Sequence, residues 1–600
     1  MAVDFNESNK YYIMKNFFIS FFATIAGIWA SALLGFIVLL LVIGFSIANM
    51  SISNAVPVKV EKNSVLYMDL GCSVTERKSA PDLMSQFSGD VEMSEGLNDI
   101  VKSIRHAAND RNIVGIYLDC KGINAGAATL KSIHDELKEF KKSDKWIIAY
   151  GDSYTQGDYY LSSLADSIYL NPVGSVDIHG MSASIMFYKE LLDNLGVDME
   201  VYKVGTYKSA VEPFILNDIS EANKEQVTAC ISALWHEIAA DMAVDRSLTE
   251  ERINQFADSV VSTFDPERLV SEKLVDGLLY RHMVEDILAE RCDKESADDL
   301  NLVPISDYAS TVVDKSSSKN PTIAVVYAEG DIVDSGDGGI VGEDMAPLIL
   351  SLADDEKIDG LVLRVNSGGG SAFASEQIWE AIEVFKSKDK PVFVSMGDYA
   401  ASGGYYISAG ADEIYAEPTT ITGSIGIFGL KPTVNKALKK IGINVASVGT
   451  SPNGIFMSIL DPSTPYQQQA MQEAINRGYE TFVGRCATGR KMTVEQIKQI
   501  AEGRVWDAVT AKKIGLVDKL GSLNDAISAM AKKLDAENYN VAEYPEIKFE
   551  WWEELLDMSS QYKQSVLSKE LGESYKYYQA INKFQNLEPL QCRMLPIEIK

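Results

Sequence analysis

The sequence lacks the cysteine patterns that are typical of zinc sites and of small disulfide-rich domains. It has six cysteines in 600 residues, none of them in a Cys-x-x-Cys pair, and the gaps between them are long and irregular. We therefore expect neither a metal site nor a disulfide framework. Cys120 ends an apolar run and is predicted to be a buried small hydrophobic residue.

Basic residues are scarce relative to acidic ones. The chain has 55 Lys and Arg against 85 Asp and Glu, which gives a net charge of −30, and it has no long Lys/Arg cluster. A nucleic-acid-binding surface needs a basic footprint. The composition therefore argues against nucleic acid as a partner.

Charge is absent from one long stretch near the N-terminus. No charged residue lies between Asn16 and Val58, and residues 17–48 are almost wholly apolar. About 20 such residues span a bilayer as a helix, and this run is too long for a cleaved signal peptide. We expect a short cytoplasmic N-terminus (1–16) and a transmembrane signal anchor (17–48), with Lys10 and Lys15 on the cytoplasmic side. No second long apolar run is apparent.

The rest of the chain contains an internal duplication. GDSYTQGDYYLSSLADSIYLNP, which starts at Gly151, matches GDYAASGGYYISAGADEIYAEP, which starts at Gly397, 246 positions later. A length of 600 residues also requires more than one domain. The predicted parts are an N-terminal repeat (63–310), a linker (311–320), a C-terminal repeat (321–545) and a helical, aromatic-rich tail (546–600).

Within each repeat, short β-branched runs alternate with helical stretches. In the second copy TIAVVYAEG, GLVLRVN and PVFVSMG are typical of buried strands. SEQIWEAIEVFKSK predicts an amphipathic helix with Ile378, Ile382 and Phe385 on one face. Strands that alternate with helices predict an α/β fold with parallel strands.

The two copies differ in two short segments that suit acyl transfer. The second copy alone has the glycine run NSGGGS (366–371) and the tetrapeptide Ala401-Ser402-Gly403-Gly404, where the first has Thr155-Gln156-Gly157-Asp158. Backbone N–H groups of glycines can face a ligand closely, and a helix N-terminus can stabilise an oxyanion. Ser402 is therefore a candidate nucleophile, although a plain helix N-cap is the alternative for this serine alone.

The same glycine run has a second possible interpretation, as a phosphate-binding loop. It lacks the Gly-Lys-Ser/Thr ending that a P-loop requires. Nucleotide binding is therefore the weaker interpretation of NSGGGS.

A serine nucleophile needs a base, and histidine does not offer an obvious one. All five histidines lie in the first copy and share no motif with Ser402: His106, His134, His179, His236 and His282. This argues against a Ser-His-Asp triad, while one formed between the copies stays open. A lysine shows the opposite asymmetry to the serine. VGTYK from Val204 matches VGTSP from Val448, so Lys208 is present only in the first copy.

Four motifs, in this order, resemble the bacterial signal peptide peptidase A (protease IV) family in its long duplicated form: YKSAVEPF at Tyr207, NSGGGS at Asn366, ASGGYY at Ala401 and TGSIGIFG at Thr422. The resemblance covers nearly the whole chain. It implies tandem ClpP/crotonase-like domains and a serine protease with a Ser/Lys dyad. The implied roles are Ser402 as nucleophile, Lys208 as general base, Ser424 as the hydrogen-bond partner of the lysine, and Gly403 with Gly369 or Gly370 as oxyanion donors.

The resemblance also implies properties beyond the site. It implies no metal or organic cofactor, peptide substrates that include signal peptides, and a homotetramer. It places the protein in the inner membrane with the catalytic domains in the periplasm. One departure is Gly368, which stands where the family usually has proline. We expect the loop to be more flexible when unbound, with the oxyanion donors retained.

The lysine must be neutral to act as a base. Its reference pKa of about 10.4 has to fall by roughly 3 units. Burial achieves this only if no carboxylate pairs with the amine, so Glu212, four residues on, is predicted to point elsewhere.

Two other functions are compatible with parts of the pattern. A crotonase-like enzyme acting on acyl-CoA would use the same fold and glycine loop, but an extracytoplasmic location disfavours it. A non-catalytic membrane scaffold is disfavoured by the retained serine, lysine and glycines.

Overall fold

The computed structural model describes residues 15–35, 37–38, 60–78, 94–312, 317–336, 338–546, 590–594 and 598–599. The chain forms two compact units, Met1–Lys59 and Val60–Lys600. In the first unit helix α1 (Lys15–Gly35) is long and apolar enough to cross a membrane, with a mean hydropathy of 2.0. This helix overlaps the predicted anchor, whose last ten residues lie outside the described ones.

The second unit contains both repeats. Its strands are β1 (Ser64–Asp69), β2 (Ser73–Thr75), β3 (Ser94–Gly96), β4 (Ile113–Cys120), β5 (Trp146–Gly151), β6 (Ser167–Leu170), β7 (Ala183–Ser184), β8 (Asp198–Lys203), β9 (Gly277–Leu278), β10 (Leu302–Pro304), β11 (Thr322–Glu329), β12 (Ile332–Val333), β13 (Ile340–Val341), β14 (Gly360–Ser367), β15 (Gly369–Ser371), β16 (Val392–Ala401), β17 (Glu413–Ala416), β18 (Ile421–Gly423), β19 (Phe428–Thr433), β20 (Val505–Asp507), β21 (Lys519–Leu520), β22 (Asn540–Tyr544), β23 (Gln591–Arg593) and β24 (Glu598–Ile599).

Its α-helices are α2 (Leu97–Asn109), α3 (Ala127–Phe140), α4 (Gln156–Ser162), α5 (Lys189–Leu195), α6 (Glu212–Ile215), α7 (Glu221–Asp245), α8 (Glu250–Ala257), α9 (Pro266–Ser271), α10 (Arg281–Arg291), α11 (Ile305–Ala309), α12 (Gly342–Asp354), α13 (Ala372–Ser387), α14 (Gly403–Ser408), α15 (Asn435–Lys440), α16 (Pro465–Arg490), α17 (Val494–Ile500), α18 (Ala508–Lys513) and α19 (Leu523–Lys533).

Each repeat is built on a parallel sheet with the same strand order. The first sheet runs β10-β1-β4-β5-β6-β9, and the second contains the equivalent series β22-β11-β14-β16-β17-β21. Both faces of such a sheet are covered, so its central strands are mostly apolar. Leu361, Val362 and Leu363 of β14 are accordingly buried, as are Ile378 and Phe385 on the predicted face of α13. The predicted α/β fold is confirmed.

A third sheet joins the two repeats. Its order is β13-β12-β15-β23-β19-β8, so it combines a strand of the first repeat with strands of the second. The antiparallel pair β8–β19 runs in register from Asp198 opposite Thr433 to Lys203 opposite Phe428. Lys203, the last residue of β8, therefore lies beside Phe428, the first residue of β19, at the same end of the sheet.

Buried charges also connect the repeats. The Arg364 guanidinium of β14 bonds to the Glu76 carboxylate at 2.8 Å, and both side chains are almost fully buried. The Asp398 carboxylate of β16 accepts from the backbone N–H of Ala128, at the start of α3, at 2.7 Å. Charges buried as deeply as those of Arg364 and Glu76 are stable only when paired and hydrogen-bonded. Separating the repeats would leave them unpaired.

The predicted helical tail (546–600) lies mostly outside the described residues, which here include two short strands, Gln591–Arg593 and Glu598–Ile599. A second helix, α7, is also long and apolar enough to pass as a membrane span. Cys230, Leu234 and Ile238 of α7 are buried in the second unit, which is typical of a core helix.

Candidate active site

Ser402 lies between β16 and α14 in a strained backbone conformation. Its φ and ψ are 56° and −112°, a combination that costs a non-glycine residue roughly 1–3 kcal/mol. Its N–H donates to the Gly423 carbonyl at 2.8 Å. Although Ser402 holds the N-cap position of α14, its side chain makes no capping bond. The hydroxyl is therefore free for another role, which disfavours the plain N-cap interpretation.

Lys208 reaches this serine from the other repeat. Its Nζ lies 2.7 Å from Ser402 Oγ and 3.2 Å from both the Oγ and the carbonyl oxygen of Ser424. Cβ atoms on Gly503 and Gly426 would lie 2.7 Å from Lys208 Cα and 3.2 Å from Lys208 Cδ, respectively. Glycines at these two positions leave room for the lysine. Three residues that the sequence predicts as a site are thus brought together across a separation of 194 to 216 positions.

The electrostatic surroundings favour a neutral lysine. Lys208 is 1% exposed, and burial lowers the pKa of its ammonium from 10.5 to about 7, with Cys592 as a weaker influence that raises it. Within the described parts of the chain, no carboxylate lies within ion-pair distance of its Nζ. Glu212 accepts instead from Ser220 Oγ at 2.6 Å and Asn223 Nδ2 at 3.0 Å. The prediction that Glu212 points elsewhere is confirmed.

The predicted oxyanion glycines converge beside Ser402. Gly369 has a φ of +98°, and a Cβ on it would lie 2.6 Å from Gly403 N. A Cβ on Gly403 would lie 3.1 Å from Gly370 N. The N–H of Gly369 already donates to Ser367 Oγ at 3.1 Å. Of the two loop glycines left open by the sequence, Gly370 is therefore the better donor to pair with Gly403.

The histidines serve other parts of the first repeat. His134 is fully buried, with its Nε2 2.7 Å from Asp245, and His106 lies 2.8 Å from the Tyr308 hydroxyl. His236 bonds to Glu250 and His179 lies near Asp177. Among the residues that the structure describes, no histidine bonds to Ser402. The geometry gives no support to a triad formed between the copies.

One cluster has the composition of a metal site: His134, Asp135 and Asp241. The Lys131 ammonium lies 2.5 Å from Asp135 and 3.2 Å from Asp241. The Lys131 ammonium thus balances the negative charge of these carboxylates, as a bound metal ion would. The cysteines likewise show no pairing, since all six are buried free thiols, Cys120 included.

Sequence reasoning missed one group at the site, the strand β23. Cys592 in this strand is fully buried and is the second influence on the pKa of Lys208. No local pattern in the tail indicates this position, because only strand pairing brings residues 591–593 to the glycine loop.

Comparison with known proteins gives the class of protein. The model of peptidase family S49 matches residues 139–293 and 384–537, once in each repeat. Protease 4 of Salmonella typhi is 36% identical over 526 residues, covering 85% of this chain and 84% of its own. The chloroplastic serine protease SPPA of Arabidopsis thaliana is 27% identical, covering 79% and 70%. A solved ClpP1 mutant from Listeria monocytogenes aligns at 19% identity and a TM-score of 0.24, covering 34% of this chain and 94% of that one.

The family model and the match to Protease 4 define a serine-type peptidase. The chain belongs to peptidase family S49, in the duplicated form with one family domain in each repeat. The family predicted from the four motifs is thus confirmed.

Proposed function

We propose that this protein is a membrane-anchored endopeptidase whose Ser402 is the nucleophile and whose Lys208 is the general base. The observation that carries the proposal is the 2.7 Å contact between Lys208 Nζ and Ser402 Oγ in a buried site. A lysine with a pKa near 7 exists partly as the free amine at neutral pH. Such an amine can accept the serine proton as the hydroxyl attacks a peptide carbonyl.

The surrounding groups complete an acyl-transfer mechanism. Ser402 Oγ bonds to the scissile carbon while its proton moves to Lys208 Nζ, and the N–H groups of Gly370 and Gly403 stabilise the oxyanion. The lysine then returns the proton to the leaving amine as the C–N bond breaks. Water repeats the sequence on the acyl-enzyme and releases the acid. Ser424 holds the amine in line through its hydroxyl and carbonyl oxygens.

Location and substrates follow from α1 and from the motif resemblance. An apolar N-terminal helix that begins at Lys15, with Lys10 before it, supports an inner-membrane anchor with the repeats in the periplasm. Peptides released in that membrane, signal peptides among them, are the proposed substrates. The proposed assembly is a homotetramer, and the proposed domains are those given above, with repeats at 63–310 and 321–545.

Peptide hydrolysis by matched variants tests the dyad. The full-length protein, Ser402→Ala, Lys208→Ala and the first-copy control Gln156→Ala are assayed on a fluorogenic peptide and labelled with a serine-directed phosphonate. We expect hydrolysis and labelling in wild type and Gln156→Ala, and loss of at least a thousandfold in the other two. Equal rates in all four proteins would exclude the dyad. Absence of hydrolysis in wild type would favour the acyl-CoA or scaffold alternatives.

Location and assembly have separate measurements. Membrane fractionation with protease accessibility from the periplasmic side tests the anchor. Light scattering of the detergent-solubilised protein tests the tetramer, which a mass of one chain would exclude.

A further inference from the structure

The proposed general base lies on a segment without regular secondary structure. Lys208 belongs to the loop 204–211, between β8, which ends at Lys203, and α6, which begins at Glu212. A catalytic group has to be held within about 0.5 Å of its productive position, and a loop does this less well than a helix or a strand. Contacts from outside the loop must therefore hold Lys208 against Ser402.

One buried side chain bonds to this loop on both sides of the lysine. The Gln226 amide nitrogen lies 3.1 Å from the Tyr207 carbonyl oxygen and 3.1 Å from Ser209 Oγ. Gln226 is 2% exposed and lies in the second turn of α7, the long helix of the first repeat. Its amide nitrogen therefore donates to the residues that immediately precede and follow Lys208.

The oxygen of the same amide bonds to the second repeat. The Val505 N–H donates to Gln226 Oε1 at 3.1 Å. The two residues before Val505 hold Ser424. The Arg504 carbonyl accepts from the Ser424 N–H at 2.7 Å, and the Gly503 carbonyl oxygen lies 3.3 Å from Ser424 Oγ. One side chain thus connects the loop of the general base to the segment that holds its hydrogen-bond partner.

The neighbouring groups fix the orientation of this amide. Its oxygen must face Val505, because a backbone N–H only donates, and its nitrogen must face Tyr207, because a carbonyl oxygen only accepts. Asn223 Oδ1 is a further acceptor, 3.0 Å from the Gln226 nitrogen, and Asn223 Nδ2 donates to the Glu212 carboxylate at 3.0 Å. The amide therefore has one orientation that satisfies its partners.

Other contacts reach the loop on one side of the lysine. The Tyr207 N–H donates to the Glu502 carbonyl at 3.0 Å, and the Arg504 guanidinium lies over the Tyr207 ring, 4.7 Å from its centroid. Both contacts are made by Tyr207 itself. Gln226 also reaches Ser209, so it fixes the chain before and after Lys208.

We propose that Gln226 is a positioning residue that holds the general base in line with the nucleophile across the two repeats. The proposal rests on the protease function proposed above. In the described part of the chain, the Gln226 amide bonds to the neighbours of Lys208 and not to its amine, so it acts through the loop. A displacement of about 1 Å at the reacting groups is enough to lower the rate about a hundredfold.

A pair of buried glutamines tests the proposal in the full-length protein. Gln226→Met keeps the size of the side chain and removes its hydrogen bonds. Gln467→Met does the same on α16, the long helix of the second repeat, where Gln467 is also 2% exposed and bonds to Thr464 and Asn453. On a fluorogenic peptide, Gln226→Met should lower kcat about a hundredfold with KM within threefold of wild type. Gln467→Met should leave both within twofold. Equal kcat in the two folded variants would overturn the proposal.

The pH profile separates positioning from a general loss of structure. A lysine that leaves its enclosed place for water regains a higher pKa. In Gln226→Met the acidic limb of kcat/KM should therefore move up by at least one pH unit, roughly, from the Lys208 pKa of about 7. Cys592, which also acts on this amine, and Lys203, whose Nζ lies 3.4 Å from the Lys208 carbonyl oxygen, are unchanged in the variant. A limb that stays at the wild-type pH would overturn the proposal.

A milder variant decides the case in which Gln226→Met does not fold. Ser209→Ala removes one acceptor of the Gln226 nitrogen and should lower kcat about fivefold, with the acidic limb moved in the same direction. An unchanged kcat in Ser209→Ala would then overturn the proposal. Hydrolysis by wild type together with a normal kcat in Gln226→Met contradicts the positioning role alone, whereas no hydrolysis by wild type contradicts the protease function as well.

Discussion

The turn after the third core strand has opposite properties in the two repeats. In the first, Thr155 begins α4 with an ordinary φ of −68°, and its hydroxyl accepts from Asp158 N in a capping box. In the second, Ser402 begins α14 with a φ of 56° and makes no capping bond. The first turn satisfies its own helix, whereas the second keeps its hydroxyl available for Lys208.

The glycine loops differ in the same way. In the first repeat the Asp158 carboxylate accepts from the N–H groups of Gly122 and Ile123, at 2.9 Å and 3.0 Å. These two residues correspond to Ser367 and Gly368, and Asp158 corresponds to Gly404. A carboxylate of the first repeat thus holds its own loop, whereas the second repeat has at the matched position a glycine with no side chain. The loop of the first repeat is therefore fixed by hydrogen bonds within its own repeat, whereas the loop of the second repeat has no such carboxylate beside it in the described part of the chain.

The largest difference in activity is expected when one methyl group is added at the matched glycines Gly403 and Gly157. A Cβ on Gly403 would lie 2.8 Å from Ser375 Oγ and 3.1 Å from Gly370 N, whereas one on Gly157 would meet only side chains and a backbone oxygen, at 3.2 Å or more. Gly403→Ala should lower kcat by about 10²–10³, the usual effect of losing an oxyanion donor. Gly157→Ala should leave kcat unchanged. Equal losses, measured with thermal melting as a check on folding, would contradict the assignment of the site to the second copy.

The pH profile should follow the lysine, which only the first repeat supplies. The base is the neutral amine, so activity should be lost as pH falls through the Lys208 pKa of about 7. Below that value kcat/KM should fall tenfold per pH unit, or about a hundredfold at pH 5. Steady-state rates on an uncharged peptide measure this. A profile that is flat from pH 5 to 8 would exclude Lys208 as the base.

Removing the lysine should stabilise the fold while it abolishes activity. Its folded pKa of about 7 lies below the 10.5 of the free side chain, so the native state binds fewer protons between these values and stability rises with pH across that window. The full free-energy cost of burying the Lys208 amine is present below pH 7. The lowered pKa corresponds to about 5 kcal/mol, of which the loss of the donor to Ser402 and Ser424 offsets about 2 kcal/mol. Lys208→Met should therefore raise the free energy of unfolding at pH 6 by about 3 kcal/mol, with the gain gone above pH 10.5.

Lys431 is the matched control for this measurement. It is also buried, but its Nζ bonds to Ser463 Oγ and to the Asp461 carbonyl, each at 2.9 Å. Its Nζ also lies 3.6 Å from the Glu200 carboxylate. Lys431→Met should destabilise the protein, because it leaves that carboxylate without its cation and two buried acceptors without a donor. If urea unfolding showed that both variants change the free energy of unfolding in the same direction, the assignment of Lys208 as a buried neutral amine would be refuted.

The smallest expected effect concerns Asp158, whose carboxylate holds the loop of the first repeat. Asp158→Ala removes the acceptor of two backbone N–H groups and should lower the free energy of unfolding by about 2 kcal/mol, with kcat/KM unchanged. Chemical unfolding measures the change in stability, and the peptide assay measures kcat/KM. A large loss of activity without a loss of stability would mean that the first loop takes part in catalysis.

Much of the fold was predictable because its signals are local. The apolar run of α1, the alternation of strands and helices and the apolar face of α13 each follow from the order of neighbouring residues. Ser402 and the glycine loop were found because the duplication supplies a comparison within one chain. The strand β23 in the tail was not predicted, since a short strand of this kind forms only where a partner edge exists.

The sequence by itself determined the apolar N-terminal helix, the two α/β repeats, the serine and the glycine loop, because their signals lie within a few residues of one another. Only the tertiary structure decided what surrounds them. Lys208 lies beside Ser402 because the β8–β19 pairing carries one repeat into the sheet of the other. The pKa of its amine follows from burial, a property of the packed chain. Cys592 lies at the oxyanion glycines because β-strand pairing acts through space, at any separation along the chain.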